Sequence, residues 1–156
     1  MHLILASTSP YRRQLLAQLQ LDFTCVAPDV DETPLAGESP SALAERLART
    51  KALSVANLYP DSLVIGGDQV AVIDDCILGK PGHFEAASLQ LKRASGREMQ
   101  FFTAIALVSL RQQFERFHVE PFRVQFRSLS EQQIVRYLRR DEPYDCAGSF
   151  RIEGLG

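Results

Sequence analysis

The run Leu3-Ile4-Leu5-Ala6-Ser7-Thr8-Ser9-Pro10-Tyr11-Arg12-Arg13 decides the fold class. Its four leading apolar residues read as a short strand buried on both faces. Ser9-Pro10 then marks a helix start: the hydroxyl can accept from an orphan N–H, and proline's fixed φ suits the first helical position, where its missing N–H is no loss. A buried strand that gives way at once to a helix, here expected to run to about Leu19, opens an α/β fold.

Outward from this start the same signals recur. Phe23 to Val26 reads as a second strand, followed by a polar loop with Asp29, Asp31 and Glu32. Ser39-Pro40 repeats the capping signature and opens a long helix to about Leu58. Leu63 to Ile73 is apolar and β-branched except at Gly66-Gly67-Asp68-Gln69, and Asp74-Asp75 is a turn before Ile77-Leu78-Gly79-Lys80-Pro81. Phe84 to Ala94 has helical periodicity and stops near Gly96. Met99 to Leu110 and Phe114 to Phe126 are strands about a hairpin turn at Arg111-Gln112-Gln113, with Pro121 marking the second as an edge or a bulge. Ser130 and Gln133 form a capping box for a last helix to about Arg140.

Bulk properties set limits. A chain of 156 residues is long enough for one ordinary domain. With 46% apolar and 23% charged residues the composition is globular, and a net charge of -2 gives no electrostatic reason for a nucleic-acid polymer or an anionic membrane as partner. Cys25, Cys76 and Cys146 stand far apart, which suggests neither a disulfide framework nor a zinc site and points to a reducing cytoplasm. The amino terminus lacks a basic stretch and a long apolar run, so a soluble, unexported protein is expected.

Several polar residues stand where packing alone does not call for them. Arg12 and Arg13 fall in the first turn of the first helix, where the helix dipole disfavours cations, so either an anion binds there or both pair with surface carboxylates. Ser7 at the strand end adds a further donor. Lys51 lies in the middle of an apolar stripe formed by Leu43, Leu47, Val55 and Leu58, and either snorkels to solvent or serves a site. Asp68 interrupts an apolar strand, where an ionised carboxylate must be paired, metal-bound or shifted in pKa. Gly66 and Gly67 before it imply the close approach of a ligand or another backbone, or a β-bulge. Glu32 is a loop acid that could join Asp68 around a hard divalent cation. Lys80 is either a turn lysine or a cation that reaches a phosphate.

In this order the runs Ser7-Thr8-Ser9-Pro10-Tyr11-Arg12-Arg13, Asp31-Glu32, Lys51, Gly67-Asp68-Gln69 and Gly79-Lys80-Pro81 resemble the Maf family of nucleotide pyrophosphatases. The resemblance spans the chain. Within the family the run Leu3-Ile4-Leu5-Ala6-Ser7-Thr8-Ser9-Pro10, Asp68-Gln69 and Cys146-Ala147-Gly148-Ser149-Phe150 look most like the branch that hydrolyses 7-methyl-GTP to the monophosphate and pyrophosphate. It implies a mixed α/β sheet with flanking helices in two lobes around a central cleft, like that of inosine triphosphatases. Asp68 would be the general base, with Glu32 and Lys51 in the catalytic set and Glu32 and Asp68 holding magnesium or manganese. Ser7, Arg12, Arg13 and Lys80 would bind phosphate, and Tyr11, Gln69 and Glu153 would select the base. The partner implied is a small nucleotide. Residues 1–156 would make a single Maf-like domain without the strand and helical tail that follow in family members: either the sequence is a fragment, or it is naturally truncated and an uncovered sheet edge would favour instability or self-association, a homodimer being one form. The alternatives are a Maf-type preference for dTTP, UTP or another modified nucleotide, and an inactive relative that binds nucleotide without hydrolysis.

Overall fold

A computed structural model describes residues 1–152, 154 and 155. The elements follow in the order β1 (Leu3–Ala6), α1 (Pro10–Ala17), β2 (Phe23–Val26), α2 (Pro40–Leu58), β3 (Leu63–Ile73), β4 (Cys76–Leu78), α3 (Phe84–Ala94), β5 (Glu98–Ser109), β6 (Phe114–Gln125) and α4 (Glu131–Asp141). A single 3-10 turn, Ala147–Ser149, comes after them. Among the described residues the strands form one mixed sheet in the order β2-β1-β3-β5-β6, with β4 paired to β3. The fold is therefore mixed α/β, as the sequence implies. None of these helices is long and apolar enough to cross a membrane.

Each element starts for a local reason. Ser9 Oγ accepts from Arg12 N–H, Ser39 Oγ from Ala42 N–H, and Ser130 and Gln133 close the expected capping box. The first helix is shorter than expected. After Ala17 the N–H groups of Gln18, Leu19 and Gln20 bond three residues back, tightening the turn, and Gln20 enters the left-handed region at φ 55°. Pro121 sits on β6, the terminal strand of the sheet order, where a missing ladder donor is tolerated.

The chain divides into two compact units, Met1–Asp68 with Thr103–Glu120, and Gln69–Phe102 with Pro121–Gly156. In the first, β1 lies between β2 and β3, parallel to both, with Leu3 opposite Phe23 on one side and Leu63 on the other. The long helix α2 turns two adjoining stripes inward. Ala44, Ala48, Ala52 and Ala56 are fully buried at four-residue intervals, and beside them run Leu43, Leu47, Lys51 and Val55. Leu58, expected to continue the second stripe, is exposed because α2 ends there. The alanine stripe lets α2 press onto β3 so closely that a Cβ on Gly66 would stand 2.1 Å from the Ala48 carbonyl oxygen. Of the readings left open for this glycine, the approach of another backbone is the one observed.

In the second unit β3 and β4 are antiparallel, Ala71 opposite Leu78, about a turn in which Asp74 and Asp75 both have positive φ. Ala71, Ile73, Leu78, Ala94, Met99 and Phe101 form one buried cluster, against which Phe126 and Phe150 pack. The run Cys146-Ala147-Gly148-Ser149-Phe150 serves this packing. Gly148 has φ 69°, and a Cβ there would meet Met99 Sδ at 2.7 Å. Buried Ser149 donates its hydroxyl to Gln90 Oε1 at 2.6 Å, and the Phe150 ring lies edge-on to Phe126.

Candidate functional site

Lys51 carries the site in the first unit. It belongs to the inward face of α2 and is buried, so its ammonium needs compensating charge. Asp68, also buried and at the end of the first unit's part of β3, accepts from Lys51 Nζ through Oδ1 at 2.6 Å. Glu32, on the loop between β2 and α2, brings Oε1 to the same nitrogen at 2.6 Å, its side chain exposed. One ammonium therefore holds two carboxylates that lie far apart in the chain.

Arg12 completes the charge cluster. It is half-buried in the first turn of α1, and its Nε and Cδ lie 3.5 and 3.7 Å from the point a Cβ on Gly67 would occupy. Those are ordinary contact distances, so the arginine stem passes over Gly67 without needing a glycine there. Burial pulls the Arg12 guanidinium below its ordinary pKa, while the charges of Asp68 and Glu32 pull it up. The Asp68 carboxyl is pushed up, first by burial; the hydrogen bond and charge of Lys51, then the charge of Arg12, pull it back, and Glu32 adds to the rise. Two cations and two carboxylates thus share one small region, with one of each held away from water.

The start of α1 is wired to this cluster. Ser7 is buried, and its Oγ accepts from Ser9 N–H at 3.1 Å. A hydroxyl that accepts keeps its own proton to donate, so Ser7 can still offer an O–H to an anion. Ser9 in turn caps Arg12 N–H at 3.4 Å, while Arg13 N–H bonds the Ser9 carbonyl and Pro10 brings no N–H. A hydroxyl and a guanidinium beside a helix N-terminus suit a phosphate group.

Of the residues singled out from the sequence, Arg12, Glu32, Lys51 and Asp68 come together, with Ser7 joined to Arg12 through Ser9. Arg13 is exposed on α1 and Tyr11 half-buried beside it. Gln69 and Lys80 belong to the second unit, both exposed, Lys80 in the loop after β4. Glu153 lies outside the described residues. Sequence reading passed over Glu38 and Arg46, which bind each other through two hydrogen bonds of 2.6 and 2.8 Å across the start of α2. An Arg-Glu pair eight positions apart and on either side of a cap has no periodic signal, so nothing short of the folded loop reveals it.

The donor set fits a hard divalent cation. Two carboxylates that converge on one positive centre offer oxygens of the kind magnesium or manganese prefers, and such ions commonly complete their shell with substrate phosphates and water.

The family model described as Maf-like protein matches residues 2–156. Three curated relatives carry the name 7-methyl-GTP pyrophosphatase. The one from Nitrosococcus oceani is 56% identical over 154 residues, which are 99% of this chain and 77% of the relative. The Polaromonas sp. protein is 53% identical over 99% of this chain and 70% of its own length. That of Pseudomonas syringae pv. tomato is 52% identical over 99% of this chain and 80% of its own.

Proposed function

Since the chain belongs to the Maf family, we propose that it hydrolyses 7-methyl-GTP to 7-methyl-GMP and pyrophosphate. The observation that carries the chemistry is the buried Lys51 ammonium shared by Asp68 and Glu32 beside Arg12. The substrate rests on relatives of that name, each more than half identical to this chain along nearly its whole length.

Asp68 acts as general base: its carboxylate takes a proton from the water that attacks the α-phosphorus, the α–β phosphoanhydride bond breaks, and pyrophosphate leaves. Lys51 orients that carboxylate and offsets part of the effect of burial on its charge. Arg12, Arg13, Lys80, the Ser7 hydroxyl and the positive end of the α1 dipole neutralise charge that spreads over the phosphate oxygens in the transition state. Glu32 and Asp68 hold the divalent cation, which when bound supplies charge compensation on the phosphates. Tyr11, Gln69 and Glu153 select the base. A carboxylate at 153 accepts from the two adjacent donors on the guanine edge, and the cationic methylated ring is favoured by the face of Tyr11. A reducing, cytoplasmic setting suits the wide spacing of the chain's three cysteines along the sequence.

The test is pyrophosphate release with magnesium across 7-methyl-GTP, GTP, dTTP, UTP and CTP. We expect 7-methyl-GTP to be turned over first, Asp68→Asn to lose about 100-fold or more, and Glu153→Gln to lower the preference for the methylated base over GTP. Preferential turnover of dTTP or UTP would replace the substrate while leaving the chemistry. Nucleotide binding without turnover would make the chain an inactive relative.

A further inference from the structure

The loop that brings Glu32 to Lys51 has no regular secondary structure over residues 27–39, and irregular backbone keeps one geometry only where contacts fix it. Five hydrogen bonds do so here. Asp31 Oδ1 accepts from Thr33 N–H at 2.9 Å, closing a turn around Glu32. The Thr33 carbonyl accepts from Arg46 Nη2 at 3.0 Å. Arg46 also donates through Nε and Nη2 to Glu38 Oε1 and Oε2 at 2.6 and 2.8 Å, while Glu38 Oε2 accepts from Leu35 N–H at 3.0 Å.

One guanidinium therefore grips the loop immediately after Glu32 and again at its far end. Its base is rigid, because Ala44, Leu47 and Ala48 around it on α2 are buried. Exposed ion pairs usually contribute little, but a forked contact that also takes a backbone carbonyl is the geometry in which they do. Arg46 sits on the helix that bears Lys51, so the clamp sets Glu32 relative to the ammonium it must meet.

We propose that Arg46 is a positioning residue of the hydrolytic site: forked onto Glu38 and bonded to the Thr33 carbonyl, it holds the loop so that the Glu32 carboxylate meets Lys51. This rests on the reading of Lys51, Asp68 and Glu32 as the reacting centre. Glu38 shares the role as the other half of the clamp.

The test uses the full chain with Arg46→Ala, Arg46→Lys, Glu38→Gln and Glu32→Gln, and reads two things. The first is backbone amide exchange of residues 31–38 with neither nucleotide nor metal present. Arg46→Ala and Glu38→Gln should speed it by about 10-fold or more while α2 and β3 keep the parent's protection. The second is the split of kcat and KM on 7-methyl-GTP. We expect kcat to fall by about 10- to 100-fold and KM to move by less than about threefold. Arg46→Lys should fall between, since an ammonium cannot fork. On the Glu32→Gln background Arg46→Ala should cost less than about a further twofold, as the two changes remove one contribution.

Loop exchange within about twofold of the parent overturns the proposal, and so does a loss that multiplies with that of Glu32→Gln. Should Arg46→Ala not fold, Glu38→Gln decides by the same two readouts. A parent that hydrolyses no nucleotide, with loop exchange still raised in Arg46→Ala, removes the reading of the centre and leaves the clamp; unchanged exchange removes the clamp whatever the turnover.

Discussion

Lys51 faces two carboxylates of unequal exposure, and the inequality divides their work. Asp68 is held away from water, where burial disfavours its charge and Lys51 offsets part of that effect. Glu32 is solvent-exposed, so its pairing with the same ammonium is screened and readily exchanged for a bound cation. Glu38, at the far end of the loop that bears Glu32, shows the opposite tendency to Asp68. Two hydrogen bonds from Arg46 and one from the Leu35 amide hold its carboxyl down at about 2, against an ordinary value of 4.5. A depressed folded pKa means that the unfolded chain binds the proton first, so this contribution is whole above pH 4.5 and is lost as pH falls to about 2. Thermal denaturation of parent and Glu38→Gln should therefore differ most near neutrality, with the gap closing through that window. A gap that stays constant down to pH 2 would show that Glu38 is not held by Arg46 in this way.

At the scale of elements, two neighbouring glycines of β3 have different reasons. A Cβ on Gly66 would run into the Ala48 carbonyl and the Ala52 amide of α2 at 2.1 and 2.7 Å, backbone atoms that cannot swing aside. Gly66→Ala should cost upwards of about 2 kcal/mol, lowering Tm by roughly 5 °C or more. On Gly67 the nearest atoms, the Ala104 carbonyl and the Arg12 stem, lie at 3.4 Å and beyond, which is ordinary contact. Gly67→Ala should therefore leave Tm unchanged or raise it slightly, since glycine weakens a strand interior. Equal loss in the two variants would show that α2 does not bear on β3 through Gly66. Both glycines read alike in the sequence, as room for something close by. Which one faces a helix and which an arginine depends on the packing of α2 and α1 over one strand, and neither helix carries that information locally.

For the whole molecule, the charge arrangement predicts how the fold depends on metal. Asp68 and Glu32 already have Lys51 as counter-charge, so folding does not wait for a cation as it does in small metal-nucleated domains. Chelation should abolish pyrophosphate release yet move Tm by no more than about 2 °C. A large fall in Tm on chelation would show instead that the carboxylates depend on metal for their pairing.

The sequence by itself determined nearly all the elements, the three capped helix starts, the turn at Asp74-Asp75, and the unusual positions of Lys51 and Asp68. Those signals are local: caps act within a turn, and the periods of helix and strand show which side chains face inward. It also carried the family, through short polar runs in a fixed order. Only the tertiary structure decided that one ammonium serves both Asp68 and Glu32, that Gly66 yields to a helix while Gly67 does not have to be glycine, and that Arg46 and Glu38 clamp the loop. Each of these joins residues whose separation along the chain follows no period, so the contacts exist only once α1, α2 and the loop before it have closed over β3.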